Sequence, residues 1–123
     1  MLNRQQQFGK QSERLAADFL KRTGYRILET NYRSKLGEID NIAREKGTIV
    51  FVEVKARNTS RFGSPKFAVT PAKQRKISMA ALDYLKRSGQ TDASARFDVV
   101  AIATASGKID IEVVKNAFSL AYG

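Results

Sequence analysis

The segment FVEVKAR, from Phe51 to Arg57, places an acid and a base two residues apart on an otherwise apolar stretch. In a β-strand, Glu53 and Lys55 would project from the same face, with their Cα atoms roughly 7 Å apart. The valines beside them would project from the opposite face and pack in the core. The change from apolar to charged residues along one face predicts the edge between a core and a cleft.

A second carboxylate is predicted to lie opposite this pair. If Lys46 and Gly47 form the centre of a tight hairpin turn, counting back along both strands puts Asp40 opposite Glu53. Two such carboxylates repel each other unless a proton, a lysine or a metal ion offsets their charge. Mg²⁺, or Mn²⁺, suits one or two carboxylates completed by waters and phosphate oxygens. The pattern predicts such a metal site, with a partly exposed ion-pair network as the alternative.

The charge of the chain predicts a polyanionic partner. Its 22 Lys and Arg residues outnumber its 12 Asp and Glu residues, which gives a formal net charge of +10 and a pI near 10.2. Nucleic acid fits this charge better than an anionic membrane, because the sequence has no basic amphipathic helix or polybasic run beside an anchor. A merely basic, soluble surface is the alternative.

The absence of histidine and cysteine excludes several classes of mechanism. The chain cannot use Ser-His-Asp or Cys-His catalysis or a histidine general base. It also cannot form disulfides or zinc sites built on these residues. Any enzyme with this sequence must work with carboxylates, lysines, hydroxyl groups or a hard metal ion.

Length and hydropathy predict one domain, residues 1–123, in the cytoplasm. A chain of 123 residues can bury one core of ordinary size. No apolar run approaches the roughly 18 to 20 residues of a membrane-spanning helix, and the amino-terminal residues lack the apolar centre of a signal peptide. We therefore expect no membrane association.

Hydrophobic periodicity predicts two helices and five strands. Apolar residues at helical spacing, followed by Gly24, predict a first helix over residues 5–23. Thr70 and Pro71 predict the start of a second helix, which ends before Gly89. Alternating and β-branched segments predict strands over residues 25–32, 38–43, 48–56, 96–104 and 108–114.

This order, α-β-β-β-α-β-β, predicts an α/β fold in which one five-stranded sheet carries a helix on each face. A parallel crossover is expected from the third strand through the second helix to the fourth strand, which makes the sheet mixed. Residues 116–123 are expected to form an irregular or briefly helical tail. Glu13 falls at the margin of the apolar stripe of the first helix, so we expect it to face the protein body.

An aspartate followed, one hairpin later, by Glu-x-Lys on an apolar strand resembles the active site of the PD-(D/E)xK nucleases of the restriction-endonuclease-like superfamily. More closely, the chain resembles the bacterial YraN-like family, distant kin of archaeal Holliday junction resolvases. The resemblance covers nearly the whole chain, and GEID with FVEVKAR is its most specific part. Ile39 stands where proline is usual before the aspartate, and Asn41 stands where an apolar residue is expected. The other matching segments are GKQSERLAADFL, GYRILETNYRSKL, AKQRKISMAALDYL and RFDVVAI.

The resemblance implies a restriction-endonuclease-like fold and a metal-dependent endonuclease acting on DNA, with branched or junction DNA as a candidate substrate. It implies that Asp40 and Glu53 bind the metal ion and that Lys55 positions or activates water. Glu13 would be the additional helix acid of resolvase-like members. Resolvase kinship also suggests a homodimer, because a four-way junction offers two symmetric cut sites.

Cations near these residues are candidate contacts to a phosphate backbone. Tyr32, Phe62 and Phe67 are candidates for stacking on bases, with packing in the core or a loop as the alternative. Asp98 interrupts an apolar strand, and we expect it to pair with a nearby arginine or backbone donor. The candidate phosphate contacts are Arg33, Lys35, Arg57, Arg61, Lys66, Lys73, Arg75 and Lys76.

Two other function classes compete with a deoxyribonuclease. A non-catalytic DNA- or RNA-binding module could keep the same fold, and an adaptor protein could carry its charge incidentally. A pure binder gains nothing from acids near phosphate, so the acid pair favours the nuclease.

Overall fold

The computed structural model describes residues 2–59, 64 and 67–121 and contains the predicted order of elements. One helix precedes three strands, and a second helix precedes two more strands. The bounds are α1 (Arg4–Arg22), β1 (Arg26–Arg33), β2 (Glu38–Glu45), β3 (Thr48–Arg57), α2 (Pro71–Arg87), β4 (Ala95–Ala105) and β5 (Lys108–Phe118).

The five strands form one mixed sheet in the order β1-β2-β3-β4-β5. Neighbouring strands are antiparallel except β3 and β4, which are parallel. The chain from β3 to β4 contains α2, so the predicted parallel crossover is confirmed. The element order and the mixed sheet confirm the predicted α/β fold and are consistent with a restriction-endonuclease-like architecture.

Each helix covers one face of the sheet. Val50 and Val52 pack with Leu20 of α1 in one cluster, whereas Ile49 and Phe51 pack under α2 in the other. The predicted alternation along β3 is therefore confirmed. Because β3 is the central strand and is buried on both faces, it gives the residues at its end a rigid support. Neither helix of the described chain has both the length and the apolarity that crossing a membrane requires.

Both ends of α1 have local signals in the sequence. Asn3 and Gln6 form a capping box, in which each side chain accepts a hydrogen bond from the other residue's backbone N–H. At the other end Gly24 adopts a φ of 102°, and the Tyr25 N–H donates to the Leu20 carbonyl at 2.9 Å. This is a Schellman ending, which explains why the helix stops one residue from the predicted position.

The start of α2 is set by Thr70 and Pro71, as predicted. The Thr70 side chain accepts a hydrogen bond from the Lys73 N–H at 3.2 Å, and Pro71 occupies the first turn, where no N–H is needed. The buried stripe of the helix then faces the sheet: Ile77, Ser78, Ala80, Ala81 and Tyr84.

The last strand is longer than predicted. The sequence pattern ends at Val114, but β5 continues to Phe118 through Asn116, which has a φ of 52°. The ring of Phe118 stacks on Phe97 with 4.8 Å between centroids. The prediction of an irregular or helical tail is therefore wrong for residues 116–118, because this aromatic contact keeps the tail on the sheet.

Asp98 has the structural partners that the sequence predicted. Its fully buried carboxylate accepts hydrogen bonds from the Tyr25 hydroxyl at 2.8 Å and from Arg96 Nε and the Asn116 N–H at 2.9 Å. Arg96 also donates to Glu45 at 2.6 Å. The network joins β4 to β2 and β5. It lies at the end of β2 that is far from Asp40, so the role of Asp98 is structural.

Candidate active site

The β2–β3 hairpin has the predicted turn and register. Lys46 and Gly47 both have positive φ angles, 50° and 82°, as a two-residue type I′ turn requires. Glu45 pairs with Thr48, so the counting that aligned the two strands starts from the correct pair. The hairpin thereby decides which residues of β2 approach the end of β3.

Pairing between β2 and β3 stops just before the predicted Asp40–Glu53 pair. The last paired residues are Asn41 and Val52. The side chain of Asp40 reaches the edge of β3 instead, where Oδ2 accepts a hydrogen bond from the Val54 N–H at 2.8 Å. The predicted backbone pairing is thus replaced by a side-chain contact, because the strands separate here and a carboxylate takes the place of a backbone acceptor.

The alternation of side chains along β2 also breaks at this point. Ile39 and Ile42 are three residues apart, yet both pack in the cluster under α2. A regular strand would place them on opposite faces. Between them, Asp40 borders two cavities on the α1 side of the sheet, of about 260 and 220 Å³, and Glu13 borders both. Asp40 therefore contacts the end of β3 and also faces the cavities that Glu13 of α1 borders.

Glu53 is a buried acid with one acidic and two basic neighbours. It is 6% exposed, and its carboxyl group hydrogen-bonds to that of Asp40. Burial, followed by the hydrogen bond and charge of Asp40, raises the pKa of Glu53 to about 8. The charges of Lys73 and Lys55 lower it, and Lys73 Nζ lies 3.7 Å from Glu53 Oε2. The structure thus brings together the two carboxylates that the hairpin predicted.

Lys55 lies two residues beyond Glu53 and is half-buried. Within the described chain it has no carboxylate within 4 Å, whereas Lys73 has Glu53. Its charge is close enough to lower the pKa of Glu53. Lys55 therefore places a positive charge near Asp40 and Glu53 without forming an ion pair with any acid of the described chain.

Glu13 projects from α1 toward the same region, as expected from its place on the helix. Burial, followed by the charges of Asp40 and Glu38, raises the pKa of Glu13. A hydrogen bond from Asn31 acts in the opposite direction. Three acids from α1, β2 and β3 are thus electrostatically coupled around the point where β2 and β3 separate.

A basic cavity of about 560 Å³ lies between the β1–β2 loop and the first turns of α2. Lys73 lines this cavity and also forms the ion pair with Glu53, so the cavity adjoins the acid pair. Arg33 forms an exposed ion pair of 3.6 Å with Glu38 at its rim. We call it the basic cavity, and its lining residues are Arg33, Ser34, Lys35, Leu36, Gly37, Glu38, Lys73 and Lys76.

Two of the other predicted phosphate contacts, Arg57 and Arg75, lie outside the basic cavity. Arg57 borders the 220 Å³ cavity beside α1, and its Nη1 donates to the Ala56 carbonyl at 2.8 Å. Arg75 is exposed on α2 and does not line the basic cavity. Arg61 and Lys66 lie outside the described residues. The structure therefore groups four of the eight predicted cations in the basic cavity.

The aromatic residues proposed for base stacking belong to the packed interior where they are described. The Tyr32 hydroxyl donates to Asp83 at 2.6 Å, and its ring meets that of Tyr84 edge-on with 5.3 Å between centroids. Phe67 is 8% exposed. Phe62 lies outside the described residues. For Tyr32 and Phe67, packing is the alternative that the structure confirms.

Two residues at these sites were not predicted from the sequence. Asn31 has a φ of 51°, which asparagine tolerates better than most residues, and this conformation accompanies its hydrogen bond to Glu13. Leu36 is 53% exposed in the wall of the basic cavity. A signal for Leu36 was available, because it is an apolar residue within the turn-forming segment RSKLG.

Comparison with known proteins identifies the family. Residues 12–102 match the model of a family described as "Uncharacterised protein family UPF0102". The chain belongs to the UPF0102 family. A UPF0102 protein of Desulfosudis oleivorans is 52% identical over 96% of this chain and 94% of that protein. UPF0102 proteins of Syntrophus aciditrophicus and Geobacter sulfurreducens are 51% and 52% identical, over 94% and 93% of this chain and 91% and 90% of theirs.

Membership of the UPF0102 family confirms the resemblance to the YraN-like family. The part of the chain that matches the family model contains Glu13, Asp40, Glu53 and Lys55, together with the β1–β2 loop and α2. It ends within β4 and leaves out β5. The names of these relatives state family membership and no activity.

Proposed function

We propose that this UPF0102 protein is a metal-dependent endonuclease that hydrolyses phosphodiester bonds in DNA, with branched or junction DNA as the candidate substrate. The contact of Asp40 with Glu53 where β2 and β3 separate, beside Lys55 and Lys73, carries the proposal. On a chain of net charge +10, an acid pair beside a basic cavity repels phosphate. The pair becomes favourable when a divalent cation joins it to a phosphate.

The donor set at this point fits Mg²⁺ or Mn²⁺. Asp40 and Glu53 supply carboxylate oxygens, which these hard cations prefer, and the two side chains already interact with each other. Among the described residues no three His, Cys, Asp or Glu side chains form a group able to hold a metal. Two carboxylates with waters and phosphate oxygens are nevertheless the usual shell of Mg²⁺. When bound, the ion would polarise the phosphoryl group and acidify an attacking water.

The residues of the chain would bind and orient the scissile phosphate. Lys55 has no carboxylate partner within the described chain, so its ammonium group is available to the charge that develops on the phosphate. Lys73 would exchange its contact with Glu53 for a phosphate oxygen. Glu13, whose pKa is raised, would accept or return a proton at the α1 side of the site.

The neighbouring phosphates would lie in the basic cavity. Arg33, Lys35 and Lys76 line it beside Lys73, and the first turn of α2 adds the positive end of a helix dipole. Arg57 would contact the backbone on the α1 side of the site. A homodimer would give the two sites that a four-way junction requires.

A non-catalytic DNA- or RNA-binding module is the second candidate function. It is favoured by the partners that both acids have within the protein. Asp40 accepts the Val54 N–H, and Glu53 is buried against Lys73. A binder could retain this arrangement as part of its fold.

Cleavage assays test the nuclease directly. Linear, nicked, flapped and four-way DNA, and RNA of matched sequence, are incubated with the protein in Mg²⁺ or Mn²⁺. Asp40→Ala and Lys55→Ala should each lose at least about 100-fold in cutting rate, since each removes a group at the reacting phosphate. The matched controls Asp18→Ala and Lys86→Ala, both exposed on the helices, should cut at the wild-type rate. Uncut substrates under both metals would overturn the proposal.

Binding measurements with Glu53→Gln separate the two functions. For a nuclease, Mg²⁺ should strengthen DNA binding by the wild-type protein, and this effect should disappear in Glu53→Gln. For a binding module, the variant should bind with unchanged or higher affinity in the presence and absence of metal, because the amide cannot acquire the negative charge that would repel phosphate.

A further inference from the structure

Leu36 is an exposed apolar side chain in a wall of cations. It leaves 53% of its surface exposed, and it lines the basic cavity together with Arg33, Lys35, Lys73 and Lys76. In the free protein this exposure is unfavourable, because an apolar group gains from leaving water. The position becomes favourable when a ligand brings an apolar surface and negative charge together, which a stacked base and its phosphates do.

The β1–β2 loop holds Leu36 in this position through local hydrogen bonds. The Ser34 N–H donates to the Gly37 carbonyl at 2.9 Å, and the Leu36 N–H donates to Ser34 Oγ at 3.1 Å. A Cβ atom at Gly37 would lie 2.4 Å from the Lys76 carbonyl oxygen, so the loop rests directly on the backbone of α2. The contact of Gly37 with α2 therefore supports the loop, and the Leu36 side chain is exposed in the free protein.

Lys73 connects this loop to the acid pair. Its side chain lines the basic cavity beside Leu36, and its Nζ lies 3.7 Å from Glu53 Oε2. A strand whose phosphates occupied the basic cavity would therefore lie beside both Leu36 and the acid pair. An apolar side chain at this place would meet the bases next to the phosphate that is cut.

We infer that Leu36 is a wedge that enters a base step beside the scissile phosphate and makes the enzyme selective for DNA with unstacked bases. Leucine is among the apolar residues that DNA-binding proteins insert between base pairs, and each unstacked step costs a few kcal/mol. This cost is lower at a branch, flap or mismatch, where the bases stack less firmly. The inference rests on the proposed function and narrows its substrate to DNA with such a defect.

Fluorescence of 2-aminopurine tests the wedge without requiring cleavage. The base analogue brightens when it leaves the stack, and it is placed at the branch of a four-way DNA or within an uninterrupted duplex. All proteins carry Asp40→Ala so that the DNA stays intact, and each is added to saturation. The Asp40→Ala protein should brighten the branch probe, and Asp40→Ala with Leu36→Ala should lose this increase. Leu36→Met, which keeps an apolar side chain, should retain it.

Leu120 supplies the matched control. It is also an exposed leucine, at 37%, but it lies beside Leu85 near the carboxyl end of α2, away from the basic cavity. Leu120→Ala should leave the fluorescence increase unchanged. The melting temperature of the protein with both Asp40→Ala and Leu36→Ala should match that of the Asp40→Ala protein, because an exposed loop side chain contributes little to stability.

The outcomes separate the wedge from the nuclease. Equal brightening with and without Leu36 overturns the wedge, and the nuclease stands if the wild-type protein cuts DNA. Brightening that depends on Leu36, in a protein that never cuts, supports the wedge and overturns the nuclease. Absence of DNA binding overturns both. Self-association that Leu36→Ala abolishes, without any change in fluorescence, would place Leu36 in a protein interface and overturn the wedge.

Discussion

At the scale of single residues, Glu53 is a carboxyl group that the fold holds away from water beside a second carboxyl group. It is 6% exposed, and Asp40 hydrogen-bonds to it, so the protonated form is favoured and the pKa rises to about 8. Lys73 and Lys55 offset only part of this effect. Under the proposed function, metal binding would relieve the same repulsion that protonation relieves in the free protein.

This pKa predicts how the stability of the metal-free protein depends on pH. Between the ordinary value of 4.5 and about 8, the folded protein keeps a proton on Glu53 that the unfolded chain releases. The free energy of unfolding should therefore fall as pH rises through this range. Glu53→Gln should remove the slope and, near pH 8, exceed the wild-type stability by on the order of 2 kcal/mol. Urea unfolding in a metal chelator measures both quantities.

Two additional measurements check the cause of this pH dependence. Glu29→Gln, a change at an exposed acid on β1, should keep the wild-type slope. Mn²⁺ should stabilise the wild-type protein more at high pH than at low pH, because protons compete with the metal for the carboxylates. An unchanged slope in Glu53→Gln would show that Glu53 does not titrate in this range.

At the scale of elements, the β1–β2 loop and α2 form one wall of the site through a backbone contact. The loop approaches α2 so closely that a Cβ atom at Gly37 would lie 2.4 Å from the Lys76 carbonyl oxygen. Four cations and Leu36 line the resulting cavity. The spacing of loop and helix therefore determines where these side chains meet a ligand.

Gly37→Ala should disturb this wall. The methyl group would have to displace backbone, so we expect a loss of about 1–3 kcal/mol in stability and weaker DNA binding. Gly9→Ala is the control for stability, because nothing lies within 4 Å of a Cβ atom there and the residue is within α1. It should gain up to about 1 kcal/mol. Wild-type stability and DNA affinity in Gly37→Ala would contradict the importance of the contact.

At the scale of the whole molecule, the +10 charge is distributed so that part of it surrounds an acid pair. Arg33, Lys35, Lys73 and Lys76 are grouped beside that pair, whereas Lys21 and Lys86 lie on the last turns of the two helices. If DNA follows the basic cavity, only the first group releases counterions on binding.

The salt dependence of DNA affinity tests this distribution. Lys35→Ala and Lys76→Ala should each reduce the slope of log affinity against log salt concentration by about one, since each removes one phosphate contact. Lys21→Ala and Lys86→Ala remove the same charge from the helix ends and should leave the slope unchanged. Equal effects of all four changes would indicate a response to net charge alone.

Local patterns in the sequence were sufficient for the order of the elements and for the acid pair of the candidate site. Period-2 alternation in β3, the Lys46–Gly47 turn and the Thr70–Pro71 helix start each depend on a few neighbouring residues, and the structure contains all three. Counting from the turn also brought Asp40 to Glu53. Residue spacing is enough for such predictions because hydrogen bonding within a hairpin or helix turn is set by near neighbours.

Only the tertiary structure decided how the site is completed. The end of pairing at Asp40, the approach of Lys73 to Glu53 and the contact of Gly37 with α2 all join elements that are distant in sequence. The same holds for Phe118, which keeps the tail on the sheet through Phe97. The sequence determined which residues form the candidate site, since their types and local spacing suffice. Packing between elements determined their distances, burial and charge, because these depend on how the helices and strands meet.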